Sequence, residues 1–260
     1  MKTLALTIVL ALPALAQQKT LTCDNNSQND GDRATHCEMR EQPAAFSGSL
    51  AVDAGTNGGV SIKGWDNAGV LVRARIQTSA ADAATAQALA SQIRVDVSAG
   101  QVSASGPAQS GASGWSVSYE IFMPRQGDLN LKAHNGGISV SDVAGHIQFA
   151  TTNGGVHLTG LGGDVEGATT NGGVNVELAG ARWEGSKLDA RTTNGAVKIT
   201  MPENYSAHLE TATVHGHLSV DFPITVTGEI GRRLVTDLGS GGATIHVETR
   251  NGAVHVRRAI

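Results

Sequence analysis

The sequence predicts an all-β solenoid, and three observations predict it. Asn-Gly pairs begin at Asn135, Asn153, Asn171, Asn194 and Asn251, with steps of 18, 18, 23 and 57 residues. Aligning the chain on those asparagines also aligns its apolar residues. Three places after them stand Ile138, Val156, Val174, Val197 and Val254, and five places after stand Val140, Leu158, Val176, Ile199 and Val256. Six places before stand Leu129, Ile147, Val165, Leu188 and Ile245, while Ser139, His157, Asn175, Lys198 and His255 alternate with the apolar entries as on half-buried strands. The composition agrees: 33 Gly against three Trp, two Tyr and four Phe, in a chain 40% apolar, suit repeated tight corners around an aliphatic core and disfavour disorder. A string of hairpins would explain Asn-Gly corners. It would not require residues one period apart to match column by column, whereas stacked coils about 4.8 Å apart do require it.

Each repeat consists of two short strands about an Asn-Gly corner. Gly154 and Gly172 are expected at positive φ, where a side chain would be strained, and the asparagines are expected to hydrogen-bond along the stack. Thr151, Thr169, Thr192 and Thr249, two places before each Asn, have inward parity and predict a buried, mutually bonded column. Thr152, Thr170 and Thr193 point outward, too short a row for an ice-binding face.

Residues 1–16, MKTLALTIVLALPALA, read as a secretory signal cleaved after Ala16, their apolar run being much shorter than the ~20 residues that span a bilayer. No later segment spans a membrane, and no lipoprotein pattern precedes Cys23. The expected location is therefore periplasmic or extracellular. Residues 17–45 form a polar segment holding the chain's two cysteines, Cys23 and Cys37. In an oxidising compartment they predict one disulfide, whose loop closure is worth roughly 3 kcal/mol in the chain-entropy account. A metal pair with His36 lacks ligands.

The solenoid is expected over 46–260, irregular to about residue 125 and regular after it. Val60 and Ile62 stand correctly after Asn57, but the preceding strand is shifted by one residue, which predicts a bulge or an irregular first coil. Ser79 to Ile93, SAADAATAQALASQI, is Ala-rich and predicts the single helix, capped by Ser79 and covering an end or side of the coil. Gly106 to Gly114 reads as a loop, and Trp115 to Pro124 as a strand feeding the array.

The order and spacing of GVSIKGWDNAGVLV, FMPRQGDLNLKAHNGGISV, the tandem TTNGGV coils and GSGGATIHVETRNGAVHV resemble exported bacterial proteins of the toast-rack type. Those proteins are described as "putative adhesins", and their domain has no assigned activity. The resemblance runs from about Phe46 to Arg257, leaving the cysteine segment outside it. It implies a right-handed, single-stranded β-helix or a closely related solenoid.

Without residues 1–16 the chain has 18 basic against 23 acidic residues, which argues against a nucleic-acid partner. Nucleotide-binding, zinc-protease and nucleophile-elbow motifs are absent, and the Gly-Gly pairs sit at strand corners rather than before a helix, so no cofactor is expected. His215 and His217 share strand parity but lack a third ligand, so no metal site is expected.

The strongest chemical cluster is the outward column five places before each Asn, which contains Gln148, Glu166, Asp189 and His246, begins at Asn130, and has Arg191 beside it. Glu166 and Asp189 on adjacent coils would suit a polysaccharide lyase or hydrolase. A mixed polar column is also what any exposed solenoid face carries, and outward aromatic platforms for sugars are missing. The expectation is a non-catalytic exported scaffold that contacts an envelope or extracellular protein or a surface component. Self-association through an open coil end is a second use of the same geometry.

Overall fold

A computed structural model describes residues 20–23, 33–111, 113–221 and 231–259, so residues 1–16 lie outside the described set. Among the described residues the architecture is all-β with one helix. The N-terminal part comprises β1 (Ala34–Ala44), β2 (Ser49–Asp53), β3 (Val60–Trp65), β4 (Val70–Ala80), α1 (Ala83–Gln92), β5 (Arg94–Ser98), β6 (Gln101–Ser105) and β7 (Gly114–Pro124). The coils follow as β8 (Asp128–Ala133), β9 (Ile138–Ser141), β10 (Ala144–Asn153), β11 (Val156–Thr159), β12 (Gly162–Asn171), β13 (Val174–Glu177), β14 (Gly185–Asn194) and β15 (Val197–Met201). Five more strands follow among the described residues: β16 (Ala207–His215), β17 (Leu218–Asp221), β18 (Arg233–Leu238), β19 (Thr244–Asn251) and β20 (Val254–Arg258).

These strands build two open mixed sheets of ten strands each. The first runs β1-β4-β7-β3-β9-β11-β13-β15-β20-β17, and the second runs β18-β16-β19-β14-β12-β10-β8-β2-β6-β5. Every coil sends one strand to each sheet, and successive coils pair in parallel and in register, Val156 against Val174 and Thr151 against Thr169 for instance. The aligned apolar columns face inward from both sheets and form one aliphatic core with near-zero exposure. In-register stacking places like residues at like depths, and this is why the columns were visible in the sequence.

The coils do not stack in chain order. β19 and β20 lie between the β14–β15 coil and the β16–β17 coil, so the chain's last coil is an interior one. The VHGHL segment is itself a coil corner: His215 lies opposite Asn251, and Gly216 packs on the Gly252 carbonyl. This corrects the shared parity of His215 and His217, which end one strand and precede the next. The ring beside His217 is that of His255, 5.6 Å away between centroids.

At the corners the asparagines form a ladder. Asn135, Asn153, Asn171, Asn194 and Asn251 each donate Nδ2 to the Oδ1 of the Asn one level before, starting from Asn57, at 2.7 to 2.9 Å. The expected positive φ at Gly154 and Gly172 is not observed. What excludes a side chain is proximity: a Cβ on either glycine would lie 2.1 Å from the glycine carbonyl oxygen of the neighbouring coil. The mutually bonded threonine column is also corrected. Thr151, Thr169, Thr192 and Thr249 are buried, but each hydroxyl donates to the carbonyl of a corner glycine on the coil before it in the stack, at 2.7 to 2.8 Å. Thr213 does the same to Gly252. A backbone carbonyl at a tight corner lacks a strand partner, and the hydroxyl satisfies it.

The N-terminal end departs from the repeat. The extra residue before Asn57 is absorbed in the turn at Gly55, whose φ of +65° suits glycine, while Leu50 still pairs with Leu129. The helix starts later than expected: Ser79 belongs to β4, and Asp82 is the N-cap, accepting from Thr85 N at 2.8 Å. Its last carbonyls accept from Arg40, at 2.5 Å for Ile93 and 3.0 Å for Ala90. Residues 34–44, polar in sequence, form the eleven-residue edge strand β1, paired antiparallel with β4 along its whole length. Charged side chains and Pro43 are what an edge strand tolerates.

Candidate functional site

The outer face of the second sheet carries the column singled out above. Because β8, β10, β12, β14 and β19 are in register, Asn130, Gln148, Glu166, Asp189 and His246 stand in one row, which Glu210 of β16 extends. The row two residues further along contains Lys132, Ala150, Ala168, Arg191 and Glu248. Ala150 and Ala168 leave a shallow open groove bordered by Lys132, Thr152 and Thr170.

Ion pairs run over this face, some between coils and some along a single strand. Glu166 pairs with Lys187 at 2.7 Å, and Asp189 receives both Nε and an Nη of Arg191 at 2.8 Å. His246 lies between two carboxylates, Nδ1 3.3 Å from Asp189 and Nε2 3.3 Å from Glu248, and Arg191 also reaches Glu248 at 3.7 Å. Partial burial would raise the Asp189 carboxyl, but Arg191 and His246 outweigh it and hold that carboxyl below its usual range. Such a carboxylate is a poor proton donor, and the site is an open sheet face rather than a cleft. The Glu166 hydrogen bond holds the Lys187 ammonium above its usual range. At the end of the face, His208 contacts Asp237 at 2.7 Å and Glu210 at 3.4 Å, and Asp237 raises its pKa.

A second charged cluster was not visible in the sequence. Glu120 of β7 is fully buried, yet it contacts Lys63 Nζ at 2.7 Å and an Nη of Arg73. Arg73 also donates to Glu41 at 2.8 Å. The remaining capacity of Glu120 is filled by residues near the N-terminus: Thr20 N at 2.9 Å, Thr20 Oγ1 at 2.7 Å and Leu21 N at 3.2 Å. Burial would push this carboxyl up, but the hydrogen bonds from Lys63, Thr20 and the two amides win and hold it at about 2. The segment so anchored is tied to β1 by the Cys23–Cys37 disulfide, with Cα atoms 5.7 Å apart. The sequence signal for this cluster was a charged residue on each of three paired strands, at positions 63, 73 and 120, a coincidence that only the pairing reveals. Among the described residues there is no cluster of three or more His, Cys, Asp or Glu able to hold a metal. No helix among them is long and apolar enough to cross a membrane.

No curated protein matches the chain. Among solved structures, a "putative cell adhesion protein" from Clostridium sporogenes is similar at 12% identity and a TM-score of 0.48, over 86% of this chain and 100% of that one. A "putative adhesin" from Bacteroides fragilis is similar at 13% identity and a TM-score of 0.32, over 85% and 97%. The Toastrack DUF4097 family model matches residues 19–257. That match takes in the cysteine segment, which the sequence motifs alone had left outside. Over nearly its whole length, then, the chain belongs to the Toastrack DUF4097 family.

Proposed function

We propose that the protein is a non-catalytic exported scaffold, an adhesin or envelope-interaction module, whose contact surface is the charged outer face of the second sheet. The observation that carries this reading is the pairing of Glu166 with Lys187 and of Asp189 with Arg191 on an open face. The carboxylates are already neutralised by cations beside them, and no wall shields them from water. Such a face suits broad, shallow, salt-sensitive contact with a protein or surface component. Export is supported by the leader-like residues 1–16 and by the disulfide, which persists in oxidising compartments. We place the solenoid proper at 46–260, preceded by a segment 17–45 whose residues 34–44 add the edge strand β1 to its first sheet, and take its coil as right-handed, as parallel crossovers are.

The test uses the mature chain, residues 17–260. Binding to isolated envelope fragments and to extracellular surface preparations is measured against salt, beside the double variant Lys187→Glu, Arg191→Glu. Binding that weakens with salt and in the variant is expected. In parallel, a panel of acidic and neutral glycans is assayed for new reducing ends or unsaturated products, and none is expected. Turnover abolished by Glu166→Gln or Asp189→Asn would replace this reading with a polysaccharide lyase or hydrolase.

A further inference from the structure

Among the described residues the two sheets end in four edge strands, and they are unequally protected. β1 carries Pro43, which lacks an N–H, and is tied down by its disulfide. A backbone carbonyl of β5, that of Val95, accepts from the Gln42 side chain at 3.5 Å. β17 spans four described residues, Leu218–Asp221. β18, RLVTDL, has neither proline nor glycine, and its Val235 is 44% exposed, one of two exposed large hydrophobic residues among the described residues.

The hydrogen-bond phase of β18 fixes what its outer edge offers. Thr213 N donates to Arg232 O at 2.8 Å across the antiparallel pair with β16. Antiparallel ladders alternate, so Leu234, Thr236 and Leu238 direct their amides and carbonyls toward β16, and Arg233, Val235 and Asp237 direct theirs away from it. The same three residues place their side chains on the solvent face, since the burial pattern alternates along the strand.

We infer that β18 is a homodimerisation edge, which pairs antiparallel with β18 of a second copy of this chain about a two-fold axis at Val235. In that register Val235 faces Val235 of the second copy, and Arg233 faces Asp237 at both ends. Every pair is of the hydrogen-bonded type, so six backbone hydrogen bonds form from groups that β16 leaves unused. The strand is self-complementary in charge as well as in hydrogen-bond phase, as a two-fold contact requires. Arg233 and Asp237 are 71% and 67% exposed, and their contacts to Glu210 and His208 lie on the β16 side. The two second sheets would then join edge to edge, placing both charged faces on one surface and doubling the area available to a partner.

Sedimentation velocity on the mature chain tests this, with circular dichroism confirming that each variant is folded. A monomer–dimer equilibrium is expected below about 1 mM. Arg233→Asp alone and Asp237→Arg alone place like charges opposite one another twice, and each is expected to weaken the dimer by about tenfold or more. Combining the two substitutions restores it. Val235→Cys is expected to form a disulfide-linked dimer under mild oxidation, since hydrogen-bonded cross-strand Cα atoms lie about 5.5 Å apart. Arg233→Cys is not, because the two copies of that position lie four residues out of register. A monomer at every concentration, a dimer indifferent to the charge variants, or equal cross-linking at 233 and 235 would overturn the proposal.

Discussion

Asn251 donates its side-chain amide to Asn194 at 2.7 Å, although 57 residues separate them in sequence. The last coil has therefore slipped between two earlier ones, and it carries the β16–β17 coil on its far side. In a stack where each coil contacts only its neighbours, losing an interior coil strands whatever lies beyond it.

Ending the chain at Gly242 should therefore unfold more than it removes. Hydrogen exchange is expected to show loss of protection over 207–221, which loses its stacking partner, while 147–177 stays protected. Uniform loss across all coils would mean that the stack behaves as a single cooperative unit.

Corner glycines should be more sensitive than any residue around them. Gly154→Ala or Gly172→Ala places a methyl 2.1 Å from a backbone oxygen and should cost about 3 kcal/mol or more. Thr169→Val deprives the Gly154 carbonyl of its hydrogen bond and should cost about 1 to 2 kcal/mol. Exposed Thr170→Val should stay within about 0.5 kcal/mol. Urea midpoints rank the three, and a harmless glycine substitution would contradict the close approach.

Glu120 should set the acid limit of stability. Its carboxyl is held at about 2 in the folded chain against an ordinary value of 4.5. The folded value is the lower one, so the stabilisation is present above pH 4.5 and is lost as pH falls toward 2; its full size is on the order of 3 kcal/mol. Glu120→Gln should flatten the stability curve in that window, as thermal melts from pH 5 to 2 would reveal.

The disulfide should hold the N-terminal segment rather than the coils. A Cys23→Ser, Cys37→Ser chain is expected to keep its far-ultraviolet circular dichroism, with a loss of at most about 3 kcal/mol. Exchange at the amides of Thr20 and Leu21 should rise, because Glu120 alone then retains them. A double variant that fails to fold would show that β1 needs its tether to pair with β4.

Leu129, Ile147, Val165, Leu188 and Ile245 were legible in the sequence as one buried column, as was the outward row of Gln148, Glu166, Asp189 and His246. In-register parallel stacking repeats the same environment at every level, and a repeated environment selects a repeated residue type. Tertiary structure alone decided the order of the coils, because equivalent corners stack equally well in several orders and their spacing does not rank them. It also decided why the corner glycines are required: φ is a local property, but the carbonyl that crowds Gly154 belongs to another coil. The Glu120 cluster was hidden for the same reason. Thr20, Lys63, Arg73 and Glu120 are each unremarkable in their own segments, and only strand pairing collects them around one buried carboxylate.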